Sequence, residues 1–201
     1  MTSRPFHHGN LREVLLEQAV VMLRETGVDG MSLRELARQA GVSHGAPRSH
    51  FIDKQALLDA LAERGFERLT GKVRDAAAGH DEFADRFRQV GHAYVDFAVD
   101  DAALMELMFA AKMNQPADTT APLGQAAARL FETFDELMDG RTDDEAAEES
   151  RWRFKLLFAA TMQGTATLIA ARRITRKQGS VIADDAVEMM LRSDLGVRVL
   201  S

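Results

Sequence analysis

Between Ser32 and Phe51 the chain leaves room for only two very short helices, and the residues that punctuate them say how they must meet. Ser32 stands three residues before Glu35, the capping-box spacing that opens a helix, and Leu33, Leu36, Ala37 and Ala40 give that helix one apolar face. Gly41 stops it, because glycine adopts the left-handed conformation after a helix with no Cβ penalty. Ser43 is placed to cap a second short helix that Pro47 can enter only in its first turn, and Asp53 caps a longer one running to about Ala78. Two short helices joined by Gly41, Val42 and Ser43, with small Ala37 at the crossing and Val42 filling the gap, predict a helix-turn-helix. Such a unit projects the outer face of its second helix into a major groove about 12 Å wide.

The rest of the chain predicts helices and no strand, since β-branched runs alternating with period two are absent. A stripe of Leu11, Val14, Leu15, Ala19, Met22 and Leu23 predicts a first helix over 10–26, ended by Gly27. Beyond a break at Gly79, helices are expected over 82–99, 101–114, 122–139, 144–174 and 182–194. Loops fall at 114–122 and 140–143, and Gln178 to Ser180 separates the last two helices. The expected fold is therefore all-α, with about nine helices: a three-helix domain over 1–52 that carries the helix-turn-helix and a larger helical domain over 53–201.

A net charge of −6 disfavours a nucleic-acid partner until its distribution is considered. Residues 1–54 carry seven Lys/Arg against six Asp/Glu and four of the six histidines, whereas the remainder carries 18 against 25. An acidic body repels DNA from every face except the one that docks. The chain has no cysteine, which removes disulfides, thiolate metal sites and cysteine nucleophiles. The opening MTSRPFHHGN lacks the apolar core of a signal peptide, and Leu156–Ala171 falls short of a membrane span, so a cytoplasmic protein without a membrane partner is expected. His7 and His8 have no partner at ligand spacing and are read as part of a flexible arm; no metal and no cofactor is expected. No nucleophile stands beside a base and no phosphate loop is present, so an enzyme is not expected.

At this point a resemblance becomes visible. The ungapped stretch from His7 to Leu61, and most specifically GVSHGAPRSHFIDKQALL, resembles the DNA-binding region of TetR-family regulators. The resemblance implies a one-component regulator, usually a repressor, whose partners are a double-stranded palindromic operator, a small-molecule effector and a second copy of the chain. It departs from the family at Arg48, where an aromatic, most often tyrosine, usually touches the phosphate backbone; arginine holds a phosphate or reaches a guanine edge. The DNA-binding candidates are Ser43, His44, Gly45, Arg48, Ser49 and His50 in the second short helix, Ser32, Leu33 and Lys54 at helix starts, and Arg4 on the arm, within reach of a minor groove. Phe51 is read as core.

The C-terminal part is similar, more loosely, to the TetR subgroup named for a Trp-His-Gly motif, chiefly in AYVDFAVDDAALMELMF at 93–109. Where that motif would fall the chain keeps Gly164 but has Met162 and Gln163. Methionines and aromatics crowd this half, and a lining of Tyr94, Phe97, Met105, Met108, Phe109, Phe134, Phe158 and Met162, with Arg129 and Gln163 as polar anchors, is the candidate ligand site. Leu156–Ala171 is apolar on nearly all sides, as a helix covered by its own domain and by a partner would be. The resemblance implies that the last two helices pair with their copies, and the candidate dimer residues are Thr161, Gly164, Thr165 and Leu168 with Ala183, Val187, Met190 and Leu191. The alternative reading is a helical ligand-binding or protein-interaction module without DNA-dependent regulation.

Overall fold

The computed structural model describes residues 11–114, 121–138 and 145–200. Among these residues the chain is all-α: α1 (Leu11–Thr26), α2 (Leu33–Gln39), a 3-10 turn (Ala46–Ser49), α3 (Lys54–Ala77), α4 (Phe83–Asp100), α5 (Ala102–Asn114), α6 (Pro122–Leu137), α7 (Glu145–Ala170), α8 (Arg176–Arg192) and α9 (Asp194–Leu200). Gly27, Gly41 and Gly79, each expected to end a helix, all have positive φ. No described helix is long and apolar enough to cross a membrane.

The C-terminal boundaries differ from the expectation. α7 ends at Ala170, because Arg172 takes φ 55° and closes the helix: its N–H donates to the Ile169 carbonyl and that of Arg173 to the Leu168 carbonyl, both at 2.9 Å. This is a Schellman turn on a residue that is not glycine, so the sequence carries no mark of it. α8 then begins at Arg176, six residues earlier than expected. Thr175 Oγ1 accepts from the Gln178 N–H at 3.2 Å, and Gln178 Oε1 accepts from the Thr175 N–H at 2.9 Å, a reciprocal cap. Gln178 to Ser180 thus lies inside a helix, not between two. A further short helix, α9, opens where Ser193 Oγ accepts from the Gly196 N–H at 3.1 Å.

The chain divides into two compact units. The first contains α1, α2, the 3-10 turn, α3 as far as Gly65, and α5 from Ala103. Its core is formed by Leu15, Leu16, Met22 and Leu23 of α1, Leu36 and Ala37 of α2, Phe51, and Leu57 and Leu61 of α3. Within this unit α3 and α5 meet so closely that a Cβ at Gly65 would stand 2.5 Å from Met108 Sδ.

The second unit contains α3 from Phe66, α4, α6 from Gln125, α7, α8 and α9. Its centre is aromatic. Phe87 of α4 stacks on Phe83 at 4.6 Å between ring centroids and meets Phe134 of α6 at 6.4 Å and Phe154 and Phe158 of α7 at 5.4 Å each. Polar pins tie the same helices: Lys155 Nζ to Asp135 at 2.7 Å, His92 Nε2 to Asp184 at 2.8 Å, and Arg176 to Asp96 and Asp100.

Candidate nucleic-acid interface

The reading head is built from the turn after α2. Ser32 caps α2 as expected, its Oγ accepting from the Glu35 N–H at 3.1 Å. The second half of the capping box is diverted, because the Glu35 carboxylate takes hydrogen bonds from Arg38 Nε at 2.8 Å and Gln39 Nε2 at 3.0 Å. These bonds, that of Arg38 foremost, lower the Glu35 pKa from 4.5 to about 2. The stabilisation they add is complete above pH 4.5 and fades as the pH falls toward 2, so the pair is intact at neutral pH. α2 then ends in a Schellman turn at Gly41: the Val42 N–H donates to the Ala37 carbonyl at 3.0 Å and the Gly41 N–H to that of Arg38 at 3.3 Å. At φ 67° a Cβ on Gly41 would be strained, which is why the sharp turn needs glycine there.

The second short helix is a 3-10 turn and not the expected α-helix. Pro47 has no N–H to give the Ser43 carbonyl, which accepts from the Ala46 N–H at 3.0 Å instead. The i→i+3 step repeats from Arg48 to Gly45 at 3.1 Å and from His50 to Pro47 at 3.1 Å. Ser43 makes no side-chain cap; the turn starts at Gly45 without one. Asp53 does cap α3, its Oδ1 accepting from the Ala56 N–H at 2.8 Å.

The turn has two faces. Pro47 is buried and Phe51 is 2 % exposed, with the Arg12 guanidinium 5.7 Å above its ring. Ser43, His44, Gly45, Arg48, Ser49 and His50 are all exposed, and the i→i+3 step stacks Arg48 one turn after Gly45, where a Cβ would meet nothing within 4 Å. Ser49 Oγ donates to the Ala46 carbonyl at 2.7 Å, which spends its proton locally. Ser32 and Lys54 stand at helix starts, with Lys54 Nζ 3.5 Å from the Asp29 carbonyl. Leu33 is different: its side chain is buried, which leaves only its backbone N–H, in the first turn of α2, to offer a phosphate. Arg4 lies outside the described residues. Two exposed side chains flank the candidates in sequence without having been singled out: Arg34, after Leu33, and Ile52, an apolar residue 81 % exposed, whose exposure no periodicity announces.

The ten candidate ligand residues are divided between the two units. Met105, Met108 and Phe109 belong to the first unit, with Phe109 42 % exposed, and the other seven to the second. There Tyr94, Phe97, Phe134, Phe158 and Met162 are buried, and Met162 Sδ would lie 3.2 Å from a Cβ at Gly91. Tyr94 donates to Gln163 Oε1 at 3.4 Å, and burial pushes its hydroxyl pKa up. Arg129 is at the surface, paired with Glu67 at 3.5 Å, because its position on α6 faces away from the aromatic centre. Among the described residues no cluster of three or more His, Asp or Glu could hold a metal.

The candidate dimer residues divide by face. Gly164 and Leu168 of α7 are exposed and Thr161 partly so, whereas Thr165 and, on α8, Ala183, Val187 and Met190 point into their own unit; Leu191 is half-buried. The large apolar side chains that α8 leaves exposed are Val181, Ile182 and Met189.

Comparison with known proteins agrees with this geometry. Residues 15–61 match the family described as bacterial regulatory proteins, tetR family, and residues 87–193 match the tetracyclin repressor-like C-terminal domain. The class A tetracycline repressor from transposon 1721 of Escherichia coli is 49% identical over 49 residues, 24% of this chain and 23% of that repressor. The chain thus spans about a quarter of the length of the curated relatives it matches first. A solved structure from Rhodococcus sp. RHA1, of unknown function, is 36% identical with a TM-score of 0.79, covering 94% of this chain and 98% of that one. A tetR-family regulatory protein of the same organism, 17% identical over 90% of this chain and 95% of its own, shares the fold with a TM-score of 0.66. With a matched family domain over more than half of its length and a second over its reading head, the chain belongs to the tetR family of bacterial transcriptional regulators.

Proposed function

We propose that this regulator is a repressor that binds a palindromic duplex operator as a homodimer through residues 1–52 and is released when residues 53–201 take up a small apolar or amphipathic molecule. The carrying observation is the two-faced turn at 43–51, with Pro47 and Phe51 underneath and an unobstructed row of polar side chains above. Selection from random duplexes tests it: a palindrome with half-sites about one helical turn apart, or a multiple of that, should be enriched. Arg48→Ala should then weaken binding by about 1–3 kcal/mol, changing preference at one position per half-site if Arg48 reads a base, or lowering affinity evenly if it holds a phosphate. Unchanged affinity with intact folding removes Arg48 from the interface.

Assembly is supported by the outer faces of α7 and α8, which leave Leu157 48 % and Met189 67 % exposed together with Trp152, Leu168 and Val181. Thr161 and Thr167 donate their hydroxyls to backbone carbonyls at 2.8 Å, so the α7 face presents methyl groups. Leu168→Glu should therefore give a folded monomer in sedimentation, with red-shifted emission from Trp152, the single tryptophan. A dimeric variant with unchanged emission places the interface elsewhere. Sensing is supported by the buried Tyr94 hydroxyl, whose 3.4 Å bond to Gln163 is long enough for a ligand acceptor to replace. Within the family, the segment at 93–109 and Gly164 favour the Trp-His-Gly subgroup. A thermal-shift screen tests sensing: compounds that stabilise the protein should also weaken operator binding.

A further inference from the structure

The first unit contains an open cleft of about 420 Å³, within the size range of small-molecule sites. Its floor is aliphatic and buried, formed by Leu23 of α1, Leu58 of α3, and Leu107 and Ala111 of α5. Its rim carries Asp29, in the loop after α1, and Glu106 of α5, both exposed. Among the described residues neither carboxylate has an ion-pair partner, and Lys54 reaches the Asp29 backbone carbonyl, not its side chain. None of the residues proposed above for sensing lines the cleft.

We propose that this cleft binds an organic cation with a short apolar body, of the arylalkylammonium class. Two carboxylates at the mouth repel an anion. A neutral apolar molecule would fill the floor but leave both carboxylates without a counter-charge, while a small inorganic cation would leave the floor bare. Only an ammonium on an apolar stem meets both: its N–H groups donate charge-assisted hydrogen bonds to the rim while the stem removes the floor from water. No side chain named above for operator contact or for sensing lines the cleft, so the site stands on its own lining residues.

The test is calorimetric titration of the full chain with three molecules of one shape: 4-phenylbutylammonium, 4-phenylbutanol and 4-phenylbutyrate. The ammonium should saturate at millimolar concentration or below, with the alcohol at least about tenfold weaker and the carboxylate silent. Asp29→Asn/Glu106→Gln should weaken the ammonium about tenfold or more without altering the melting temperature, because both side chains are exposed. Ala110→Phe, which fills the cleft from α5 while keeping both carboxylates, should abolish binding. Equal binding of the alcohol, undiminished binding by either variant, or no saturable binding of the ammonium to the unaltered chain would each overturn the proposal.

Discussion

Phe87→Ala is expected to cost about 3–5 kcal/mol of unfolding free energy, read as a shift in the urea midpoint at unchanged slope. Phe87 is fully buried and touches four other rings, carried by α4 itself, α6 and α7. Large-to-small changes cost most where the walls cannot collapse, and rings held on three helices cannot close the gap by rotamer changes alone. The cavity should stay dry and admit benzene, so benzene should raise the melting temperature of the variant and leave that of the unaltered protein unchanged. A loss below about 1.5 kcal/mol, with no benzene effect, would mean that the cluster repacks. The same rings bear on the sensing proposed above. Phe134 and Phe158 both touch Phe87, and Phe158 and Met162 both approach Gly91, so an effector entering here must displace side chains that already fill the space.

What the sequence made legible follows from where its signals are local. Gly27, Gly41 and Gly79 were readable as helix ends because a positive φ selects glycine, and Ser32 and Asp53 as caps because their oxygens reach an N–H three residues on. Arg172 adopts the same left-handed turn without glycine, so the end of α7 was invisible and the α8 start was misplaced with it. The polar row at 43–50 was also readable, but not its 3-10 geometry, which arises from the Ser43 carbonyl turning to Ala46 once Pro47 offers no proton. Tertiary placement was the least legible. The compact units divide inside α3 and group α5 from Ala103 with the first, where it approaches α3 closely at Gly65. On α7 an apolar residue on nearly every side hides the outward face, and on α8 the small residues Ala183 and Ala186 lie on the inner side, where helices crowd. The interior aromatics Phe87 and Phe154 went unnoticed because a ring at helical spacing carries no sign of which cluster it will join.

Arg68→Met is expected to cost about 3 kcal/mol, the lower end of what breaking a buried pair usually costs. The Asp101 side chain is 5% exposed and accepts from Arg68 Nη2 at 3.1 Å, while the guanidinium lies 5.8 Å from the Phe97 ring centre. The arginine is 35% exposed and Asp101 keeps a further contact, which is why the upper end of the range is not reached. Methionine preserves an unbranched apolar stem over Phe97 and removes only the charge and its donors. What destabilises the variant is then the carboxylate left at the end of α4 in a place that water hardly reaches. A double-mutant cycle separates this from lost contact with Phe97: adding Asp101→Asn to Arg68→Met should restore more than about 1 kcal/mol, because the uncompensated charge is gone. If the two changes simply add, the carboxylate is not the cause, and Arg68 acts by covering the ring.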